Sequence, residues 1–153
     1  MDSNGKFEAQ KLCLCLILTI SLMLASCAST GGPDKKQAQS LAASVDLFNS
    51  SFRWEDYKAA ASFVPVDRRE AFWSEVDKFK DKIRLTEYEI REVEFLGKGP
   101  QASAIVRFQF WRLESPLLEN ASFTQKWLYN EKDKHWRVID SGFGAITKSP
   151  VGF

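Results

Sequence analysis

Between Gln37 and Phe79 the apolar residues of this chain recur at helical spacing, and beyond Ile83 they pass over to alternation. Leu41, Val45, Phe48 and Phe52 follow one another at intervals of four, three and four, which lines them along one face of a helix starting near Gln37. Ser40, Ser44 and Asn49 fall off that face. A short second helix is predicted from Trp54 through Phe63, with Trp54, Tyr57, Ala60 and Ala61 turned inward and Pro65 ending it. A third opens at Asp67, where Asp67 and Glu70 have the spacing of a capping box, and Phe72, Val76 and Phe79 form its stripe with Trp73 beside it. The mixed charges from Asp77 to Arg84 read as a solvated helix face and exit.

Leu85, Tyr88, Ile90, Val93 and Phe95 then alternate with two slips of phase, between 85 and 88 and between 90 and 93. Such a slip marks a bulge, which bends a strand and sharpens its twist. Gly97-Lys98-Gly99-Pro100 is a turn, and the next strand is the clearest in the chain. Ala102, Ala104, Val106, Phe108 and Phe110 share one face, while Ser103, Ile105, Arg107, Gln109 and Trp111 share the other. Leu113 to Ala121, holding Pro116, reads as a connection, Phe123 to Tyr129 as a third strand and Asn130 to Asp133 as a turn. His135 to Asp140 is a fourth strand with Trp136 and Val138 on one side; Ser141-Gly142 stops it, and 145–153 reads as a loose tail. Helices followed by an antiparallel meander give an α+β order.

Upstream of all this, Lys6 and Lys11 precede an apolar run from Leu12 to Leu24 that ends in small residues, the parts of a secretory signal peptide. The run is shorter than the ~20 residues a membrane-crossing helix needs. Its exit, Leu24-Ala25-Ser26-Cys27, resembles the lipobox of bacterial lipoproteins. The resemblance implies a diacylglyceryl group on the Cys27 thiol and cleavage between Ser26 and Cys27, so that 1–26 is a signal peptide and 27–36 a lipidated tether. Ala28 follows Cys27, with no aspartate there, which in that family implies the outer membrane of a two-membrane cell envelope. Two or more acyl chains hold a protein stably at a bilayer where one holds it only marginally.

Composition changes little in this picture. Cys13 and Cys15 lie in the discarded leader and Cys27 is taken up by lipid, so no thiol is left for a disulfide, a metal or a nucleophile. Residues 27–153 suffice for one compact domain, and all five tryptophans and eleven of the twelve phenylalanines lie within them as a large apolar payload. The leader carries as many acids as bases, so the mature chain keeps the formal charge of +1 and makes no electrostatic case for nucleic acid.

The Trp54-Glu55-Asp56-Tyr57 to Val64 helix, the helix opening at Asp67 and the Tyr88-Glu89-Ile90 strand resemble the nuclear transport factor 2-like superfamily. The Gly99 to Phe110 strand and the closing Trp136 to Gly142 stretch add to the resemblance, which spans about Gln37 to Gly144. It implies N-terminal helices packed in a strongly curved antiparallel sheet, a cone, over 37–144. Members of the superfamily include isomerases, dehydratases, small-ligand binders and dimerisation modules, so the fold does not choose an activity.

Within that cone Tyr57, Phe72, Phe108, Phe110, Trp127 and Trp136 are candidates to line an apolar pocket, or to interdigitate and leave none. Asp56, Tyr57 and Asp140 are the polar residues expected nearest its mouth, but no catalytic motif of the superfamily's enzymes lies on this chain residue by residue. His135 begins a strand after a charged turn and is expected at an exposed strand end, with Asp133 and Asp140 near it only in sequence; a lone histidine without cysteines is a poor zinc site. Ile105, Arg107, Gln109 and Trp111 look like a contact surface on the outer sheet face. Asn120-Ala121-Ser122 is a glycosylation sequon with no use in a bacterial lipoprotein.

The expectation is therefore an envelope lipoprotein, non-enzymatic and without cofactor or metal, whose domain binds an apolar ligand or a protein. Its partners would be the bilayer through Cys27, a second copy or an envelope protein, and a small apolar ligand. The competing expectation is an envelope enzyme doing acid–base chemistry in the cavity, isomerase- or dehydratase-like.

Overall fold

Helix α1 (Lys35–Arg53) opens the computed structural model, which describes residues 34–97 and 99–146. The leader, Cys27 and its tether up to Pro33, and the tail beyond Ile146 lie outside the described residues. The Asp34 side chain accepts from the Lys36 N–H at 3.4 Å and starts the helix. Leu41, Val45, Phe48 and Phe52 are sealed from water, as their spacing predicts. Asn49 is buried beside them, contrary to its expected place off the apolar face, because it has a partner. Its Nδ2 donates to the Val45 carbonyl (2.7 Å) and to Gln125 Oε1 (3.2 Å), and Gln125 Nε2 donates to Asn49 Oδ1 (2.7 Å). A buried amide pair that is satisfied on both sides escapes the desolvation penalty that normally keeps such groups at the surface.

The second helix is shorter than its pattern suggests. Trp54 caps α1 and stands 70% exposed, with the Arg53 guanidinium 4.8 Å from its ring centre, and Glu55 takes a positive φ of 59° that breaks the helical path. Helix α2 (Tyr57–Ala61) starts only after Asp56, whose carboxylate accepts from the Ala59 N–H at 2.9 Å. Trp54 is thus outside the second helix and turned to solvent, not inward. The Asp67–Glu70 capping box does not form either. Pro65 leads into a 3₁₀ turn (Val66–Arg68) that takes in Asp67, and helix α3 (Arg69–Phe79) follows without a side-chain cap. Its stripe of Phe72, Val76 and Phe79 is buried as expected.

Four strands follow as an antiparallel meander in the order β1-β2-β3-β4: β1 (Ile83–Phe95), β2 (Gln101–Arg112), β3 (Leu118–Asn130) and β4 (His135–Asp140). Register shifts interrupt β1 between Leu85 and Glu87 and between Ile90 and Glu92, where the phase of its apolar residues slips. β3 begins five residues earlier than its apolar pattern indicates, since backbone pairing from Trp111–Leu118 onward carries the polar stretch Glu119-Asn120 into the sheet. The connection is correspondingly reduced to residues 113–117.

The helices pack on the face bearing Ala102, Ala104, Val106, Phe108 and Phe110. Packed chain continues past β4. Gly142, at φ +73°, turns the backbone so close to β3 that a Cβ there would stand 3.0 Å from Phe123 Cβ and the Thr124 carbonyl oxygen. That turn delivers Phe143 into the middle of the core, and Ile146, placed in the loose tail by sequence, is fully buried. The Arg112 guanidinium holds the Ile146 carbonyl at 3.2 Å and Glu119 at 3.0 Å.

Candidate functional site

The interior is closed by aromatic rings. Phe143 stacks on Phe52 with ring centres 4.0 Å apart and lies 5.1 Å from Phe108, 6.0 Å from Phe79 and 6.1 Å from Phe123. Of the six residues expected around an apolar pocket, Phe108, Phe110, Trp127 and Trp136 are at most 1% exposed. Trp127 meets Phe48 edge-on at 5.6 Å, and its indole N–H, sealed from water, has no hydrogen-bond acceptor among the described residues. Trp136 packs on Tyr129 and Phe95, and its N–H donates to the Gln37 carbonyl and Ser40 Oγ, both at 3.2 Å. Tyr57 is half-buried, 5.7 Å from Phe52 and 6.0 Å from Phe79. Phe72, itself buried, lines a cleft described below.

That cleft, of about 240 Å³, lies between α3 and the end of β4 and is lined by Val64, Arg68, Phe72, Glu75, Asp140 and Ser141 among others. Its polar groups are largely engaged with one another or with backbone. Arg68 Nη1 donates to the Ile139 carbonyl (2.7 Å), Ser141 Oγ donates to Glu75 Oε2 (3.2 Å), and Asp140 Oδ1 accepts from the Gly142 N–H (3.0 Å). Nothing in the apolar pattern singles out Glu75, Arg68 or Ser141 as site residues. The usable signal for Glu75 was its place one turn beyond Phe72, on the margin of the apolar stripe.

The acid–base candidates are dispersed. Asp56 caps α2. Burial chiefly, and then the nearby Glu55, push the Tyr57 hydroxyl up to about 12. His135 is exposed, and it is its backbone N–H that meets Asp133, at 3.1 Å. Asp133 is committed to Arg137, whose hydrogen bond is the main cause holding its carboxyl below the usual range, with the His135 N–H adding to it. Among the described residues no group of three His, Cys, Asp or Glu side chains is placed to hold a metal ion.

The outer face of the sheet is differently furnished. Trp111, 38% exposed, is the register partner of Leu118, 55% exposed, and Leu113 and Leu117 beside them are exposed as well. Farther along, Ile105, Arg107 and Gln109 are half-buried. A shallow basin of about 140 Å³ is lined by Glu87, Glu89, Arg107, Gln109 and Asn120, with Tyr88. Glu87 and Asn120 become part of this face only through the strand register, which sets each opposite Gln109.

No protein-family model and no curated protein matches the chain. Among solved structures it is similar to a ketosteroid isomerase-like protein from Erwinia carotovora atroseptica, at 12% identity and a TM-score of 0.50, over 69% of this chain and 92% of that one. It also matches a candidate polyketide cyclase from Xanthomonas campestris, at 17% identity and a TM-score of 0.46, over 67% and 89% of the two chains. At 12% identity the first likeness establishes a shared architecture, the nuclear transport factor 2-like α+β fold, and says nothing of activity.

Proposed function

We propose that this chain is a lipid-anchored envelope lipoprotein whose domain is an interaction module, docking a protein partner through the outer face of its sheet. The observation that carries this reading is the closed interior: Phe143 occupies the space among α1, α3, β2 and β3 where a ligand would sit. With Phe143 in that space, the outer face of the sheet offers Trp111, Leu118, Ile105, Arg107 and Gln109 for recognition. Docking energy in such surfaces concentrates in a few aromatic and arginine side chains. The anchor is Cys27, from the lipobox resemblance, and the address is the outer membrane.

Trp111→Ala tests the surface. Self-association or partner capture, read by sedimentation of the intact chain, should weaken while the melting temperature holds; unchanged sedimentation removes the claim. The competing acid–base reading draws on the cleft holding Glu75 and Asp140. It requires Glu75→Gln to abolish a turnover that Trp111→Ala leaves intact.

A further inference from the structure

Arg107 sits in the middle of the outer sheet face, half-buried, and among the described residues its guanidinium has no hydrogen-bond or ion-pair partner. Its cross-strand neighbour on β1 is Glu89, the side chain that would ordinarily pair with it. Glu89 instead joins Arg91, 2.9 Å away along its own strand. A partly desolvated arginine left without an anion forgoes the bidentate geometry that makes its fork worth placing there.

The surroundings add uncommitted donors. The Thr86 hydroxyl donates to the Gln109 carbonyl at 3.1 Å and lies 3.2 Å from Gln109 Oε1, which leaves Gln109 Nε2 as the free end of that side chain. Asn120, the register partner of Gln109 on β3, has its amide unengaged among the described residues. These side chains border the same basin of about 140 Å³, room for a single small functional group. Glu87, also uncommitted among the described residues, stands on the rim and raises the cost of any second negative charge.

We propose that the basin around Arg107 is a carboxylate-binding site, taking an aspartate or glutamate side chain of the protein that docks on the sheet. Arg107 supplies the two-pronged contact, Gln109 and Asn120 donate from the side, and Glu87 selects a monoanion over a phosphate dianion. The assignment of the carboxylate to a protein rests on the docking reading above; the site's chemistry does not.

The test uses the intact chain and N-acetyl-glutamate N-methylamide, which offers one side-chain carboxylate, followed by NMR. The Arg107 Nε–H and the Gln109 and Asn120 side-chain amide resonances should move together and saturably. The isosteric glutamine analogue should leave them in place, inorganic phosphate should not compete at an alkaline pH where it is the dianion, and Arg107→Gln should weaken binding at least tenfold. Equal shifts with the glutamine analogue, equal shifts with sodium chloride at matched ionic strength, or full binding by Arg107→Gln would overturn the site. If the carboxylate binds but Trp111→Ala leaves sedimentation unchanged, the docking reading fails and the basin stands as a site for a free small carboxylate. If Trp111→Ala acts and the carboxylate does not bind, the surface stands and the basin assignment falls.

Discussion

Asn49 and Gln125 show how a polar pair can be built into an aromatic core without cost to it. Each amide answers the other, and the remaining Asn49 proton goes to Val45, so α1 has one satisfied register against β3. Asn49→Ala leaves Gln125 buried and unmatched and should cost about 1–3 kcal/mol in urea unfolding. Replacing both by leucine removes the orphan along with its partner, and should cost clearly less than the sum of the two single changes. Additive losses would show that the pair is not coupled. Tyr57 gives a second residue-scale expectation. Its hydroxyl is raised from 10 to about 12 by burial first and Glu55 next, so the folded state holds this proton more tightly than the unfolded one. Stability from this source is intact below pH 10 and is lost as pH rises towards about 12. Tyr57→Phe should flatten the alkaline limb of stability over that window while leaving the neutral value nearly unchanged. A wild-type-like alkaline loss in that variant would assign the effect elsewhere, Tyr88 being the next hydroxyl raised by burial and by its bond to Asp46.

Helices and strands were legible in proportion to how strictly their apolar residues kept period. The α1 face, the α3 stripe, the inner face of β2 and both phase slips in β1 are where spacing puts them. Errors arose where something other than periodicity decided. Trp54 is apolar and in helical phase, yet the positive φ of Glu55 and the contact with Arg53 leave it in solvent. The start of β3 is set by pairing with β2, which a polar sequence such as Glu119-Asn120 does not advertise. The 143–145 turn was invisible because a core anchor after a terminating glycine has no period to keep. That turn is nonetheless the element on which core closure depends. Phe143→Ala should cost about 3–5 kcal/mol, as for other buried aromatic truncations, whereas Leu113→Ala on the exposed apolar end should stay within ~0.5 kcal/mol. A loss under 1 kcal/mol for Phe143→Ala, read by chemical denaturation, would mean that the core does not need its plug.

At the scale of the molecule, the sequence points to the α+β architecture that the structure has and to a candidate anchor outside the described residues, and leaves the site to be found. Five of the six candidate pocket residues are core and Tyr57 packs half-buried against them, with Phe143 in their midst; Glu87 and Asn120 join the outer-face residues only once the strands are paired. The lipid attachment proposed at Cys27, the aromatic-packed interior and the outward-facing sheet are the parts of the proposed tethered docking module. Native mass spectrometry of the intact protein, extracted from the membranes of its own host, tests that description most directly. It should detect an acylated chain beginning at Cys27, with no small molecule retained and with a protein companion, either another copy or a different polypeptide. A lone protomer carrying one equivalent of a small apolar molecule would contradict it.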